Sequence, residues 1–533
     1  MQSAIQALSI EDDDLKEHSY VFFANTSKVM GSGFVPYLAE LVPHLLAVIT
    51  ENELITGGDT DDDEDNDDDL NIEDDDEGSD DGKNLRLNVL DGFINNKKAA
   101  LTAIGAMAEY TKEAFAPYLE AALDTLIVDQ MGALYSFHDI IRSEALECLP
   151  QLVCVACHAT GVTALPNKLQ VIVLPDLTAE VVRTAMKFLL LAMEDDESKS
   201  PVSTALESIS SIIARVGVAC LALQLSPTEG PRIIDVLMQR LLVIMNEKAP
   251  CQKMTSGDGQ EDDEENDHDN IVMDSASDLI GTLAKTIGDQ MIPFFDQLQK
   301  PLMRFMKPAR PFSDRSMAIG CYAEVLLEFG PSALKYVDTL MPLIKIGLAD
   351  QMESVRRNSA YCVGVLVQAT GLALAPHFLS ILQALYPLCT RSAEKMASDT
   401  GGADVDNALS SVARIIIIGK AALIPLAQVL PVMLAALPLR SDTSEGPNIY
   451  GCLIELVLAG DPSTMALLPQ ILNAFCETLQ PNSNAVAEVK ERVVLCLKEV
   501  ASGNSPEIQK IFISAMEQME PSMAALIHIA VAQ

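Results

Sequence analysis

The sequence predicts an all-α solenoid, a stack of antiparallel helix pairs wound into a right-handed superhelix. Three observations predict it. Segments that open a helix after a short polar turn recur at Lys97, His138, Ser200, Asn270, Phe312, Glu353, Asp404 and Gly446, and several successive starts lie 41 or 42 residues apart. A proline recurs in the helix that precedes such a turn: Pro342, Pro387, Pro431 and Pro469 are spaced 45, 44 and 38 residues apart. The apolar residues, 49% of the chain, are mainly Leu, Ala, Ile, Val and Met, with 5% aromatics and no Trp, a composition of packed helices rather than sheets.

Taken in order, each unit opens with a helix carrying a proline near its middle or entry, as in AELVPHLLAVI around Pro43 and DTLMPLIKIGL around Pro342. An interior proline removes a hydrogen bond and bends the helix, so a periodic series of them is an architectural rule. The second helix is apolar at helical spacing, for example at Val355, Ala360, Val363, Leu366 and Val367. It commonly ends at a glycine, and Gly288, Gly330, Gly371 and Gly419 are expected as left-handed caps. Helices this short and this apolar are not stable alone; stacked neighbours bury both faces. Residues 1–533 are therefore read as a single solenoid of about ten helical pairs.

Two acidic runs interrupt the repeats. Residues 59–81 hold sixteen acids and no Lys or Arg, and residues 258–269 hold eight. Burying even one unpaired carboxylate costs several kcal/mol, so inserts spanning 52–92 and 252–271 are read as solvated and disordered, each placed between the two helices of a repeat. Their charge is densest at Asp61, Asp62, Asp63, Glu64, Asp65, Asp67, Asp68 and Asp69, and at Asp262, Asp263, Glu264 and Glu265. Together the runs carry 24 of the 76 acids; the chain is at −40 with them and would be at −16 without them. A bland reading makes them solubilising loops. The functional reading makes them polyanionic arms that draw in a polycationic partner.

The same charge disfavours direct binding to DNA or to an anionic membrane surface, since phosphate binding needs a basic face. The eleven Cys follow no framework spacing, which suits reduced thiols in cytosol or nucleus. No basic n-region opens the chain, and no charge-free apolar run of about 18 residues is found, so neither signal peptide nor membrane span is expected. Cys154, Cys157 and His158 match C-x-x-C-H in form, but inside the apolar run ECLPQLVCVACHATG they read as core thiols. Gly419-Lys420 lacks the rest of a phosphate loop, and the acidic runs lack the glycine and terminal glutamate of a calcium loop. The seven His show no zinc-ligand pairing, and no nucleophile–base arrangement can be read. No enzyme, cofactor or metal site is expected.

The turn from Asp350 to Val355-Arg356 resembles the HEAT-repeat signature, in which an Asp between the helices can cap the second helix and meet an Arg of its own or the next repeat. Phe34-Val-Pro36-Tyr37-Leu38 and Phe115-Ala-Pro117-Tyr118-Leu119 resemble the karyopherin-β (importin-β) family. So does the order of features: an acidic insert after the first of these motifs, a second about two hundred residues on, then VRRNSAYCVGVL and ALPLRSD. The resemblance is to the C-terminal half of a nuclear import receptor. It implies a HEAT-repeat α-solenoid that binds protein partners and carries no catalytic site. The implied cargo is basic protein, namely core histones and their tails and ribosomal proteins, with a histone chaperone as a companion of histone cargo. RanGTP and FG nucleoporins are implied for the intact receptor, which would act as a monomer shuttling between cytoplasm and nucleus. The family's main Ran contacts lie in its N-terminal half, so this stretch alone is expected to bind cargo with Ran-dependent release impaired.

One ladder of residues stands at corresponding positions near the starts of successive second helices. It comprises Asn358, then Asp406 and Asn407, then Glu445 and Asn448, the Asn residues lying 49 and 41 apart. Asn donates to and accepts from a peptide backbone at once, and a carboxylate takes a Lys ammonium. The alternative is that these are ordinary helix caps and dipole partners. The resemblance favours cargo binding, since the family is expected to hold basic segments in acidic pockets on its inner surface; Ser444 stands where the family tends to have a second acid beside Glu445. Asp442, Glu353 and Tyr361 complete the candidates. The rival functions are a histone-binding chaperone and a static HEAT scaffold, both without transport.

Overall fold

The computed structural model describes the chain outside residues 11, 52–79, 129–131, 164–172, 228–229, 254–262, 391–400, 503–505 and 533, and leaves the side chains of 80–91, 263–270 and 421 undescribed. Asp61 to Asp69 and Asp262 thus lie outside the described residues, as do the side chains of Asp263, Glu264 and Glu265. The described residues form helices arranged as HEAT repeats in two compact units, Met1–Ile287 and Gly288–Gln533.

In the first unit the helices are α1 (Gln2–Ala7), α2 (Asp13–Met30), α3 (Leu38–Thr50), α4 (Asp80–Thr111), α5 (Leu119–Ile127), α6 (Asp139–Thr160), α7 (Asp176–Asp195), α8 (Lys199–Val216), α9 (Ala219–Ala222), α10 (Ile233–Met245) and α11 (Asp263–Ile287). The long second helices α2, α4, α6, α8 and α11 stack side by side as one layer, and α3 packs on α5 and α7 on α10 in the other. The acidic segments fall at the same place in their repeats, between α3 and α4 and between α10 and α11. Helix covers the last residues of both expected inserts, from Asp80 and from Asp263.

The second unit continues the pattern with α12 (Ile292–Phe305), α13 (Phe312–Phe329), α14 (Val337–Leu348), α15 (Glu353–Thr370), α16 (Phe378–Cys389), α17 (Ala403–Leu423), α18 (Leu426–Ala436), α19 (Gly446–Ala459), α20 (Pro462–Met465), α21 (Leu468–Leu479), α22 (Ala487–Ser502), α23 (Pro506–Glu517) and α24 (Pro521–Ala532). Here α13, α15, α17, α19, α22 and α24 form one layer and α14, α16, α18, α21 and α23 the other. The core sits between the layers. Val355, Ala360, Val363, Leu366 and Val367, the apolar stripe read from the sequence, are all fully buried there. At roughly 1.5–3 kcal/mol for each fully buried large aliphatic side chain, this stripe holds α15 against its neighbours.

Second helices lead into the next pair through 3-10 turns at Gly31–Tyr37, Lys112–Tyr118, Gly330–Tyr336 and Gly371–His377. The F-x-P-Y-L motifs are such turns: Phe34 and Phe115 are fully buried, with Tyr37 and Tyr118 packed on them at ring distances of 5.5 and 5.7 Å. Two stretches, Asp13–Thr50 and Glu353–Cys389, reach the length and apolarity of a membrane span, which the sequence had not been expected to contain. Each is two helices broken by a 3-10 turn. Tyr20 on α2 and His44 on α3 meet at 3.1 Å, so the first stretch folds back on itself.

The glycine caps differ from expectation in detail. Gly330 and Gly371 have φ of +52° and +59°, but with ψ of −133° and −137° they lie outside the left-handed helical well. Gly419 is no cap: Lys420 takes the positive φ of 50° one residue later. What Gly419 supplies is room, because a Cβ there would sit 2.9 Å from Ile424 and 3.3 Å from Phe378.

Candidate ligand-binding surface of the second helices

The first turn of three second helices, α6, α13 and α15, is fastened by an arginine. Arg142 on α6 donates to Asp196 through Nε at 2.7 Å and Nη2 at 2.9 Å. Arg315 on α13 does the same to Asp350 at 3.0 and 2.9 Å, and Arg356 on α15 reaches Asp404 at 2.6 Å. Each arginine therefore meets the aspartate of the repeat that follows. Seen from Asp350, the carboxylate's ion-pair partner belongs to the preceding repeat rather than to its own or the next, and Arg356 of its own repeat meets Asp350 at the backbone carbonyl, 3.0 Å away. Burial works against the charged form of Asp350, but Arg315 and the Met352 N–H outweigh it and hold the carboxyl below its ordinary value. Asp350 Oδ1 accepts from Met352 N at 3.0 Å, so it caps the turn ahead of α15.

The same economy of contacts takes up most of the ladder. Asp406 is 1% exposed, and its carboxylate accepts the backbone N–H groups of Arg440 (3.1 Å), Ser441 (2.8 Å) and Asp442 (2.8 Å). Its burial raises the carboxyl above its ordinary value, against the pull of those three bonds. Asn407, also buried, donates to Ala403 O and to Asp442 Oδ2, both at 2.9 Å. Glu353 accepts from Ala403 N at 2.9 Å. Asp406 and Asn407 thus face the turn before α19 rather than an open surface, with Asp442 as part of that turn. Backbone donors 34 to 36 residues away claimed the carboxylate, a contact that helical spacing does not reveal.

Asn358, Tyr361, Glu445 and Asn448 remain on the stacked face. Asn358 donates to Ser316 O at 2.9 Å and Ser316 Oγ at 3.0 Å, tying α15 to α13. Glu445, 6% exposed, accepts from Ser410 Oγ, from Asn448 Nδ2 at 3.1 Å and from Arg414 Nη2 at 3.3 Å. Arg414 also lies 5.9 Å from the Tyr361 ring. Burial raises the Tyr361 hydroxyl; Arg414 opposes this, and Glu445 and Glu324 add to it.

Arg414 is the residue that sequence reasoning missed, and the signal was present. It is the only charged side chain in SSVARIIIIG, and a charge on an apolar helix needs a partner. Gly364 makes its course possible, since a Cβ there would sit 2.3 Å from Arg414 Nη1. Gly451 does the same for Arg492, with a Cβ position 2.9 Å from Nη2. Arg414 Nε and Nη1 are buried without a protein acceptor. Beside them opens a cleft of about 310 Å³ lined by Gln368, Arg414, Asn448, Glu455 and Arg492 with Ile417. Gln368 and Glu455 are exposed and make no hydrogen bond or ion pair among the described residues. The cleft thus mixes donors with acceptors, with two arginines and one glutamate in its lining and Arg414 answered by Glu445 behind it, a chemistry that suits an extended peptide backbone.

No family model matches the chain. It is 24% identical over 515 residues to a probable importin subunit beta-4 of Schizosaccharomyces pombe, covering 94% of this chain and 46% of that protein. It is 26% identical over 505 residues to importin-4 of Mus musculus, covering 93% and 44%. Among solved structures it is similar to the karyopherin Kap121p bound to RanGTP (TM-score 0.60, 15% identity, 99% of this chain and 45% of that one) and bound to Pho4p (TM-score 0.60, 14% identity, 99% and 45%). The karyopherin-β resemblance therefore runs along nearly all of this chain, which spans about half the length of the curated relatives it matches.

Proposed function

We propose that this karyopherin-β relative is the cargo-binding part of a nuclear import receptor, holding basic protein segments for passage from cytoplasm to nucleus. Core histones with their tails and ribosomal proteins are the cargo class. The observation that carries the reading is the resemblance to importins along 93–94% of the chain; the cleft beside Arg414 gives it a place. There Asn448 and Gln368 offer the peptide backbone its donors and acceptors, while Arg414, packed beneath with its Nη2 on Glu445, holds Glu445 and Asn448 in place. Glu455 takes a lysine, and the net charge of −40 favours basic chains over others at longer range.

For the whole receptor, FG nucleoporins and RanGTP are the further partners. An apolar cleft of about 340 Å³ between α16 and α18, lined by Leu379, Tyr386, Val429 and Met433, has the chemistry for a phenylalanine ring.

The test is a titration of a fluorescein-labelled histone-tail peptide, read by anisotropy. Asn448→Ala with Glu455→Lys is expected to weaken binding about tenfold to a hundredfold, since hydrogen bonds to charged groups are worth about 1.5–3 kcal/mol. Unchanged affinity would remove the cleft from the reading. Retention on immobilised FG repeats separates a receptor from a chaperone or scaffold, and its absence would favour the chaperone.

A further inference from the structure

The first unit carries a second surface with unanswered chemistry. Just before α6, Phe137 is 92% exposed, with Tyr135 and Ile140 partly so. This is no loose end. Arg142 Nη1 donates to Ser136 O at 2.9 Å and to Phe137 O at 3.0 Å, and His138 N donates to Ser136 Oγ at 3.3 Å, so the turn is pinned in the shape that presents Phe137. An apolar group held out to solvent beside a polar rim marks an interaction surface.

Next to it lies a cleft of about 450 Å³ between α6 and the end of α7, with Leu146 and Leu191 among its apolar walls. Tyr135 and Phe188 meet across it edge to face, 6.4 Å between ring centres and at 90°. Asp195, Asp196 and Glu197 line it as well. Asp196 is taken by Arg142. Asp195 and Glu197 are exposed and make no hydrogen bond or ion pair among the described residues. Lys187 Nζ already lies over the Phe188 ring, 5.5 Å from its centre, so that ring accepts a cation in this structure.

We infer that this face is a second docking site, taking a lysine or arginine of a partner peptide between the aromatic rings and Asp195 and Glu197, with a neighbouring apolar side chain on Phe137 and Ile140. The rings attract a cation through their faces, and the carboxylates attract it through charge-assisted hydrogen bonds. A neutral occupant would leave both carboxylates unanswered, and an acidic one would be repelled. The inference rests on reading the chain as a binder of basic segments, and it adds a site well separated in sequence from the cleft beside Arg414.

The probe is a fluorescein-labelled oligolysine peptide with one central p-benzoylphenylalanine, titrated at about 150 mM salt, where surface charges are screened beyond about 8 Å. Asp195→Lys with Glu197→Lys is expected to weaken binding about tenfold to a hundredfold, the range of a hydrogen bond to a charged group; the cation–π share, roughly two- to thirtyfold, belongs to the rings. Tyr135→Ala, which changes no charge, is expected to weaken it in the same direction. Irradiation is expected to join the peptide to residues 133–140 or 186–197, read by mass spectrometry. Unchanged affinity in both variants, cross-links only elsewhere, or equal binding of an oligoglutamate peptide would each overturn the site. Loss only in Asn448→Ala with Glu455→Lys would refute this site and keep the cleft beside Arg414; loss only in the Asp195 and Glu197 variant would do the reverse. No binding of oligolysine by the unaltered chain would overturn both.

Discussion

Asp406 shows how a single carboxylate can be spent on architecture. Three backbone N–H groups from residues 440 to 442 converge on it in a buried site. Asp406→Ala strands those donors, and removing one partner of a buried hydrogen bond costs about 1–3 kcal/mol. Chemical denaturation is expected to show a loss on the order of 3 kcal/mol, while the affinity of the folded variant for a basic peptide stays within about twofold. A large affinity change without a stability change would return Asp406 to the binding surface. The thiols lead to a second expectation at this scale. All eleven are free and buried. Burial pushes the Cys157 thiol up to about 11 and Cys220 up to about 12, and raises Cys154 despite the nearby Arg215. Thiolates rather than thiols react, so a disulfide-exchange reagent at neutral pH should modify them only as fast as the chain opens. Rapid labelling of Cys154 or Cys157 in the native protein would contradict the packing of α6.

The rungs that join one helix pair to the next belong to the scale of elements. Arg356 and Asp404 are 7% and 0% exposed, so removing one partner leaves a buried charge. Asp404→Ala is expected to cost about 3–5 kcal/mol, seen as a lower denaturation midpoint. The Arg315–Asp350 rung adds a pH dependence whose sign follows from its lowered carboxyl. Its stabilisation is fully present above the ordinary aspartate value of 3.8 and is lost as pH falls through the lower folded value. Asp350→Asn should therefore lower the denaturation midpoint at neutral pH and shrink the difference between neutral pH and acid; an unchanged difference would remove the rung from acid unfolding. These elements were largely legible in the sequence. Val355 to Val367 follow the helical period, and period alone decides which face is buried. The partners of polar residues were not legible, because they lie a repeat away and depend on how far each helix is turned. Asn358 and Asn407 occupy the same repeat position, yet one ties two helices and the other secures a turn. Gly364, which admits Arg414, looks from its own helix like any weak point in a helix.

At the scale of the whole molecule, charge is the property that local structure does not account for. The two arginines at the second-unit cleft are each paired with a glutamate, Arg414 with Glu445 and Arg492 with Glu488, so preference for basic partners has to come from the chain's overall field. That field comes disproportionately from residues 59–81 and 258–269, which bring 24 of the 76 acids. Long-range attraction acts on encounter more than on the bound state: it raises association rates about tenfold or more and fades with salt, while departure depends on contacts made at short range. Replacing the acids of residues 59–79 and 258–262 by their amides keeps the length of both segments and the helices beside them. Stopped-flow mixing with a basic peptide at low salt should then show association slowed about tenfold, dissociation little changed, and a shallower dependence of the association rate on salt. An unchanged association rate would make the acidic runs solubilising loops. A faster dissociation with the same association rate would mean instead that they grip the bound peptide directly, moving selection from the ordered clefts to the runs themselves.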